Sequence, residues 1–384
     1  LYHDYVRQAV SAMIGAFGER EVRSWRFRVA TEPDLYPNHW AGTEEEYWKL
    51  YDTVVDAVTG LLPEADIGPG NILNPTSFRT IERPLWGLDL IDHAAAGRNR
   101  WTAATGSRMT FFSLSWYDRV GERGDVHDLS RAVGMIRQRL LQYPEFRDIP
   151  VEVAEFMILH DENRNRLYAG EVSEWSASWL GAVIGQVYRE NIRKVHLWDT
   201  TTAGVYHPQA HVLAFLEEAG GGTRVETVVK SHYRLEGEVG AVAILRQGSL
   251  YLLVHHHDAR RQADQTAPLY LSIRKPFDSP TGGWRADHRQ VDAEHGVFIR
   301  QFIEDCQAAS IPMVEGAGRF EGSPFRLFGE EGEALFRQNR DRYAELSNRL
   351  MVEVGQPVSE ANDRLVLELE LPAHSVRMIR LYPA

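Results

Sequence analysis

Residues 25–35 read WRFRVATEPDL, and the fold of the chain can be predicted outward from this stretch. Residues 25–30 have the composition of a short buried strand, and Glu32 follows almost directly after it. A second run, residues 149–156 (IPVEVAEF), ends another strand of the same kind with Glu155. An ionised carboxylate beside a buried strand is costly unless it is paired or used, so both glutamates are candidate functional residues.

Strands and helices alternate around this stretch as far as about residue 222. The predicted strands cover residues 25–30, 65–70, 109–114, 150–156 and 194–198. The predicted helices cover residues 5–17, 43–62, 174–191 and 208–219, and one more ends near residue 142. Strands that alternate with helices of ten or more residues indicate parallel βαβ units.

Two architectures contain such units: an open doubly wound sheet and a closed barrel. No glycine-rich phosphate loop follows any predicted strand, whereas polar and aromatic residues cluster after the strand ends, where a barrel enzyme holds its site. We therefore predict an α/β fold, a (β/α)8 TIM barrel whose strands 4 to 8 lie in residues 1–222. The N-terminal part of that barrel, three strand–helix units, would then precede Leu1.

The pattern changes at about residue 223 to strands without crossover helices. The strands predicted there cover residues 239–245, 249–255, 269–273, 365–371 and 375–381, with a helical insertion around residues 332–350. This succession predicts a C-terminal β-sandwich domain over residues 223–384 that accompanies the barrel.

Composition excludes some classes of partner. The net charge of −12 argues against nucleic acid, and no apolar run reaches the roughly 18 residues of a transmembrane helix. The single cysteine, Cys306, excludes an intrachain disulfide and a cysteine-based metal site. Location, whether cytoplasmic, periplasmic or secreted, and assembly into a homo-oligomer are both left open.

The aromatic content points towards sugars. Ten Trp and fifteen Tyr suit carbohydrate binding, because sugar rings stack their C–H faces on aromatic rings. The alternative is that most of these rings fill a large core.

Glu32 and Glu155 have the surroundings of an acid and a nucleophile. Glu32 precedes a loop with His39 and Trp40, surroundings that favour the protonated form which a general acid requires. The alternative is a structural ion pair with an arginine. Glu155 must stay ionised and fixed, and Tyr117 is a candidate hydrogen-bond donor for it, or else a capping aromatic residue.

Two further features are interpreted as structural. Glu152 lies at an odd offset from Glu155 on the same strand, so it faces the opposite side. The run His255 to His257 places at most two imidazoles on one face of a strand, and no metal site is predicted there.

Residues 25–35 resemble the strand-4 signature of glycoside hydrolase family 39, the family of β-xylosidases and α-L-iduronidases. There the pattern is Trp-x-Phe-Glu-x-Trp-Asn-Glu-Pro-(Asn/Asp)-Leu. The resemblance continues, in family order, through residues 46–51, 67–69, 154–156, 290–295 and 371–376. It implies a retaining glycosidase that needs no cofactor and acts on an oligosaccharide or polysaccharide fragment, a β-xyloside by default. In it, Glu32 would be the acid/base and Glu155 the nucleophile.

Departures from the family pattern concern the pocket for the cleaved sugar. Thr31 stands where the family has Asn, Ser115 where it has His, and threonines follow the pair Trp198 and Asp199. The resemblance implies a substrate-binding set that consists of Thr31, His39, Trp40, Ser115, Tyr117, Trp198 and Asp199. The changes leave two alternatives open: activity on another sugar, such as a uronic acid or a modified galactoside, and a non-catalytic carbohydrate-binding protein derived from this family.

Overall fold

The fold was examined in a computed structural model that describes residues 1–73, 86–119, 128–159, 172–228, 237–258, 265–276, 282–314 and 325–384. The chain divides into two compact units. The first comprises Leu1–Tyr117, His127–Phe156 and Arg189–Trp198, and the second comprises Asp118–Val126, Met157–Tyr188 and Asp199–Ala384. The predicted domain boundary near residue 222 stays a prediction.

Short strands form the centre of the first unit. They are β1 (Arg26–Val29), β2 (Asp66–Pro69), β3 (Phe112–Arg119), β4 (Val151–Leu159) and β5 (Val195–Leu197). β1 and β2 pair in parallel, as do β4 and β5, and β3 lies beside β4. A parallel bridge between Ile72 and Leu114 continues the series from the end of β2 to β3. The predicted parallel βαβ arrangement is therefore confirmed for these strands.

Helices separate the strands along the chain. They are α1 (Tyr2–Phe17), α2 (Glu19–Arg23), α3 (Glu44–Thr59), α4 (Trp86–Ala96), α5 (Asp128–Leu140) and α6 (Glu174–Arg189), with a 3₁₀ turn at Pro144–Phe146. α3 begins at a capping box: Glu46 N donates to Thr43 Oγ1 at 3.2 Å, and Thr43 N donates to Glu46 Oε2 at 2.7 Å. This pair fixes where α3 starts by satisfying N–H groups that a helix end leaves unpaired.

The buried face of α3 packs against β1 and β2 and stabilises this part of the first unit. Tyr47 and Tyr51 of α3 are fully buried and join Val29, Ile67 and other apolar side chains in one core cluster. The Tyr47 hydroxyl donates to the carbonyl of Val29 at 2.9 Å and accepts from Gly70 N at 3.1 Å. Because it bridges the ends of β1 and β2, it fixes the loop that carries Glu32.

Two strand ends differ from the prediction. β3 covers residues 112–119 instead of 109–114, and β4 extends beyond residue 156 to residue 159. In β3 the apolar side chains of Phe112, Leu114 and Trp116 alternate with polar residues. Apolar composition therefore predicts the end of this strand at residue 114, whereas the strand itself continues to residue 119. Tyr117 and Glu155 consequently lie within strands rather than at their ends.

The second unit contains two antiparallel sheets, as the predicted β-sandwich requires. The larger has the strand order β13-β12-β16-β10-β9-β8, and the smaller has the order β11-β15-β14. Side chains from both sheets share one apolar core that includes Leu252, Trp284, Leu365 and Ile379. Their bounds are β8 (Thr223–Val225), β9 (Glu238–Arg246), β10 (Ser249–His257), β11 (Thr266–Arg274), β12 (Trp284–Val291), β13 (Met351–Pro357), β14 (Ser359–Ala361), β15 (Arg364–Pro372) and β16 (Ser375–Pro383).

The remaining elements of the second unit are a hairpin and helices. The hairpin joins β6 (Thr201–Thr202) and β7 (Val205–Tyr206), and α7 (Pro208–Glu218) follows it. The helices α8 (Ile299–Ala308), α9 (Phe325–Gln338) and α10 (Arg340–Asn348) share an aromatic cluster. α9 and α10 correspond to the predicted helical insertion. Within the described ranges, no helix is both long and apolar enough to cross a membrane.

Candidate active site

Glu32 lies in a tight loop three residues beyond β1. Ala30 and Glu32 have φ values of 66° and 41°, a left-handed backbone that residues other than glycine rarely adopt and that costs free energy. A bond from Glu32 N to the carbonyl of Asn71 (2.9 Å) holds the loop. A Cβ on Gly70 would lie 2.8 Å from the carbonyl oxygens of Val29 and Ala30, so only glycine allows this close approach of the two strand ends.

The environment of Glu32 is that of a carboxylic acid rather than a carboxylate. The side chain is about 5% exposed. Burial raises the pKa of Glu32 to about 7, a hydrogen bond from Ser115 opposes the rise, and the nearby charges of Glu155 and Asp34 add to it. His39 Nδ1 lies 3.2 Å from Glu32 Oε2 at the more exposed side of the group. A carboxyl group with such a pKa can give and take a proton near neutral pH.

Glu155 has different neighbours from Glu32. It is half-buried on β4, and each carboxylate oxygen has a hydroxyl donor: Tyr117 OH at 2.8 Å from Oε2 and Thr31 Oγ1 at 3.0 Å from Oε1. The predicted donor Tyr117 is thus confirmed. Burial, followed by its contact with Glu155, raises the pKa of Tyr117, so its hydroxyl keeps its proton and remains a donor.

A chain of hydrogen bonds, buried at Asn71 and Ser115 and exposed at Thr31, connects the surroundings of the two glutamates. Thr31 Oγ1 is 3.0 Å from Asn71 Oδ1, and Asn71 Nδ2 donates to Ser115 Oγ at 2.6 Å. Ser115 in turn lowers the pKa of Glu32, which is the effect of a hydroxyl donor beside the carboxyl group. The structure therefore brings together Glu32 and Glu155 with the predicted residues Thr31, Ser115, Tyr117 and His39.

Sequence reasoning missed Asn71. It directly follows the Gly-Pro-Gly turn that ends β2, and its side chain is fully buried. The rule used for the other strands, that polar residues just after a strand end are site candidates, would have selected it.

Trp198 lies beside Tyr117 and remains largely in solvent. Its ring makes an edge contact with Tyr117 at 6.1 Å between centroids, and 61% of the residue is exposed. A bond from Trp198 N to the carbonyl of Phe156 (3.2 Å) fixes the backbone here. An exposed indole next to the donor of Glu155 is a surface on which a sugar ring can stack.

The other predicted substrate contacts have structural partners. Trp40 packs against Tyr47 with 5.8 Å between centroids, and its indole N–H donates to the carbonyl of Thr43 at 2.9 Å. Asp199, in the second unit, accepts from Thr201 N at 3.0 Å and so stabilises the turn before β6. These contacts explain the positions of both side chains without a bound sugar. The substrate roles of Trp40 and Asp199 stay predictions.

Glu152, predicted from its offset to be structural, is held in an ion pair. Arg26 Nη1 donates to Glu152 Oε1, and Glu152 is buried. A buried carboxylate that is already neutralised by a guanidinium has a structural explanation. This contrast separates Glu152 from Glu155, three residues further along β4.

The three histidines of β10 alternate between its faces, as predicted. His257 Nδ1 lies 3.0 Å from Ser178 Oγ of α6, and the His255 ring lies next to Gly181 of the same helix. His256 Nδ1 instead lies 3.1 Å from the carbonyl of Leu371 in the smaller sheet. Among the described residues, no group of three or more His, Cys, Asp or Glu is arranged to hold a metal ion.

Fold and site together define a class of protein. A parallel α/β unit carries two neighbouring carboxyl groups, one buried and protonatable and one fixed by hydroxyl donors, which is the equipment for acid–base and nucleophilic chemistry. Residues 1–163 of the 384-residue chain match the model of the family described as Glycosyl hydrolases family 39.

Two curated relatives illustrate the similarity. Alpha-L-iduronidase of Mus musculus is 26% identical over 152 residues, which are 39% of this chain and 23% of that protein. Beta-xylosidase of Geobacillus stearothermophilus is 25% identical over 187 residues, which are 44% of this chain and 35% of that protein. The matched regions thus span about a quarter to a third of the length of these relatives.

Solved structures share the fold of the whole chain. A monomeric beta-xylosidase from Caulobacter crescentus matches with a TM-score of 0.68 at 15% identity, covering 100% of this chain and 74% of that one. The GH39 enzyme from Xanthomonas axonopodis pv. citri matches with a TM-score of 0.66 at 14% identity, covering 100% and 73%. At these identities the likeness concerns the fold alone. It supports the prediction of an α/β unit joined to a β-sandwich.

Proposed function

We propose that this protein is a retaining glycoside hydrolase that cleaves a β-linked glycoside, with Glu32 as acid/base and Glu155 as nucleophile. One observation carries the proposal: two neighbouring carboxyl groups, linked by Thr31 beside Glu32 and its contact with Glu155, have unlike surroundings, which divide the two roles between them. The match of residues 1–163 to the family model supports the same reaction class.

The first step uses both groups at once. The proton of Glu32 goes to the glycosidic oxygen, and the bond from that oxygen to the anomeric carbon breaks. A carboxylate oxygen of Glu155 forms a bond to the same carbon. The leaving group departs as a neutral alcohol, and a covalent glycosyl–enzyme ester remains on Glu155.

The second step reverses the roles. Glu32, now ionised, takes a proton from water, the water oxygen bonds to the anomeric carbon, and Glu155 is released as carboxylate. The surroundings of Glu32 suit this cycle. Part of the rise in its pKa comes from the charge of Glu155, and this charge is absent while Glu155 is esterified. The pKa of Glu32 should therefore fall in the intermediate, so that it can act as base.

The closeness of the carboxyl groups favours retention over inversion. An inverting enzyme keeps them about 6.5–9.5 Å apart to leave room for a water molecule, whereas a retaining enzyme keeps them about 5–5.5 Å apart. Thr31, the residue before Glu32, lies 3.0 Å from Oε1 of Glu155, and the charge of Glu155 raises the pKa of Glu32, so the two groups are close neighbours, which suits the shorter spacing. A direct measurement of that spacing in a crystal structure remains a test of the proposal.

The proposed substrate is an oligosaccharide or polysaccharide fragment. Trp198 supplies a stacking surface, His39 reaches the acid from its exposed side, and Thr31 supplies a hydroxyl beside the nucleophile. The two curated relatives are named for xylosides and iduronides, so β-xylosides and uronic acid glycosides are the first substrates to test. The proposed architecture is a (β/α)8 barrel with a β-sandwich domain over residues 223–384.

Trapping the covalent intermediate tests the proposal directly. The protein is incubated with activated 2-fluoro glycosides of xylose, glucuronic acid and galactose, and the labelled peptide is identified by mass spectrometry. The expected label lies on Glu155 and is absent from Glu155→Gln. A label on another residue contradicts the nucleophile assignment. Saturable sugar binding with neither label nor turnover would instead indicate a carbohydrate-binding protein.

A further inference from the structure

Asn71 lies between the hydrogen-bond partners of the two glutamates, although the two-glutamate mechanism assigns it no step. Its side chain is fully buried. Nδ2 donates to Ser115 Oγ at 2.6 Å, and Oδ1 is 3.0 Å from Thr31 Oγ1. Each neighbour then faces one glutamate: Thr31 lies 3.0 Å from Oε1 of Glu155, and Ser115 lowers the pKa of Glu32, as a hydroxyl donor beside that carboxyl group does.

We propose that Asn71 is a positioning residue whose side-chain amide directs the Ser115 hydroxyl towards Glu32 and competes with Glu155 for the hydroxyl hydrogen of Thr31. The roles of the two glutamates rest on the proposed function. The hydrogen-bond geometry of Asn71 does not depend on it.

The effect of Asn71 on Ser115 follows from the number of hydrogen bonds that a serine hydroxyl can donate and accept. A serine hydroxyl has one hydrogen to donate and two lone pairs to accept with. The amide hydrogen of Asn71 occupies one lone pair, so the hydroxyl hydrogen is available for Glu32. A bond donated to a carboxylate stabilises its charged form, and the Ser115 contact does oppose the effect of burial on the pKa of Glu32. Without the amide, Ser115 can turn and accept from protonated Glu32 instead.

The branch through Thr31 is a competition for one hydrogen. The Thr31 hydroxyl has two acceptors at the same distance, 3.0 Å, in Asn71 Oδ1 and Glu155 Oε1. An ionised Glu155 is the stronger acceptor, because hydrogen bonds to charged groups are stronger. When Glu155 becomes an ester it loses that advantage, and Asn71 offers the hydroxyl another partner in the intermediate.

The backbone holds Asn71 rigidly enough for this role. Its carbonyl accepts from Glu32 N at 2.9 Å, so the same residue fixes the acid loop. The next residue, Ile72, donates to the carbonyl of Ser113 at 3.0 Å and accepts from Ser115 N at 2.8 Å. The amide is thus tied to both the Glu32 loop and β3, and its two contacts vary little.

The test measures the pKa of Glu32 without requiring turnover. Protein labelled with ¹³C at glutamate carboxyl groups is titrated by NMR, with Glu32→Gln used to assign the signal. Asn71→Leu keeps the approximate volume and removes both hydrogen bonds. We expect the pKa of Glu32 to rise by at least about half a unit in Asn71→Leu, and by a similar amount in Ser115→Ala. The double variant should add little, because both substitutions break one branch.

Other results would overturn the inference. A folded Asn71→Leu protein that titrates like the wild type, or shifts in Asn71→Leu and Ser115→Ala that simply add, contradicts the role of the amide. A merely structural role would lower Tm and leave the pKa unchanged. If Asn71→Leu does not fold, Asn71→Ala replaces it, since a methyl group can form neither of the two hydrogen bonds.

The same variants separate this inference from the proposed function. If the wild type turns over glycosides, the basic limb of kcat/KM should move upward with the NMR pKa in Asn71→Leu. If the wild type turns over none of them, the proposed function fails while the titration still decides the role of Asn71. Glu64→Gln, at an exposed position, serves as the control that should leave both measurements unchanged.

Discussion

The hydroxyl of Thr31 lies 3.0 Å from Oε1 of Glu155, although Thr31 precedes the other glutamate of the pair in the sequence. Thr31 therefore connects the loop of the proposed acid to the proposed nucleophile. Tyr117 occupies the second oxygen of Glu155, so both donors to this carboxylate are hydroxyl groups. This arrangement makes Thr31 the most direct position at which to test the site.

Replacing Thr31 by Val removes a donor to Glu155 while retaining the shape of the side chain. A hydrogen bond to a charged group contributes about 1.5–3 kcal/mol, so we expect kcat/KM to fall about 10- to 100-fold. Thr31→Ser keeps the hydroxyl and should retain most of the activity. Steady-state kinetics on an aryl glycoside measure both variants, and equal losses would show that the hydroxyl is not the important group.

The pH dependence of activity should report Glu32. The pKa of Glu32 is raised to about 7, and only its protonated form can act as acid, so kcat/KM should decline with a midpoint near that pH. In Glu32→Ala, turnover should be lost for glycosides with poor leaving groups and retained in part for dinitrophenyl glycosides, which need no acid. Equal losses for both substrate types would contradict the assignment of Glu32.

The same raised pKa has a consequence for stability. The pKa of Glu32 is about 7 in the folded state and 4.5 in the unfolded state. Proton binding by Glu32 therefore stabilises the fold fully below pH 4.5, and this contribution is lost as the pH rises to about 7. The loss amounts to about 3 kcal/mol at most. Glu32→Gln should therefore gain stability relative to wild type between pH 5 and pH 8. Urea denaturation at both pH values measures this gain, and Glu64→Gln should show none.

Tyr47 is expected to contribute to stability and to activity. Tyr47→Phe leaves the carbonyl of Val29 and the N–H of Gly70 without their buried partner. We expect a loss of about 1–3 kcal/mol in the free energy of unfolding, measured by urea denaturation. Because the bridged strand ends carry the Glu32 loop, kcat should fall as well. Tyr270→Phe, at an exposed position on β11, is the matched control.

Trp198 is expected to contribute to binding of the glycoside substrate. Its exposed ring next to Tyr117 offers stacking area, and stacking on a ring binds ground state and transition state alike. Trp198→Ala should therefore raise KM with little change in kcat, whereas Trp198→Phe should keep most of the affinity. A fall in kcat at unchanged KM would show that Trp198 positions Glu155 or Tyr117 instead.

Sequence patterns predicted the elements whose apolar periodicity is clear. The parallel strands and the strands β9, β10, β11, β15 and β16 were found in this way. β12 was missed, because the buried face of this strand includes His288 and Gln290 beside Trp284 and Ala286. Polar residues at inward positions hide the two-residue period that identifies a strand.

The candidate site was predicted in part for a similar reason. Glu32 and Glu155 could be found because a carboxylate after a buried strand needs an explanation. Asn71 carries only the weaker signal of its place after a strand end, since an asparagine after a glycine turn is common in any loop. Trp40 is predicted to be a sugar contact because it follows the acid; its ring packs on α3, and its substrate role stays a prediction. Nearness along the chain did not decide the direction of the side chain.

The sequence by itself determined the positions of Glu32 and Glu155, the order of strands and helices, and the match of residues 1–163 to a glycosidase family model, because these depend on residue type and spacing. Only the tertiary structure decided which groups surround each carboxylate. The hydrogen bonds of Thr31 to Glu155 and of Asn71 to Ser115 join residues 124 and 44 positions apart. Contacts over such separations, and the burial that raises the pKa of Glu32, arise only when parallel strands place their carboxyl ends side by side.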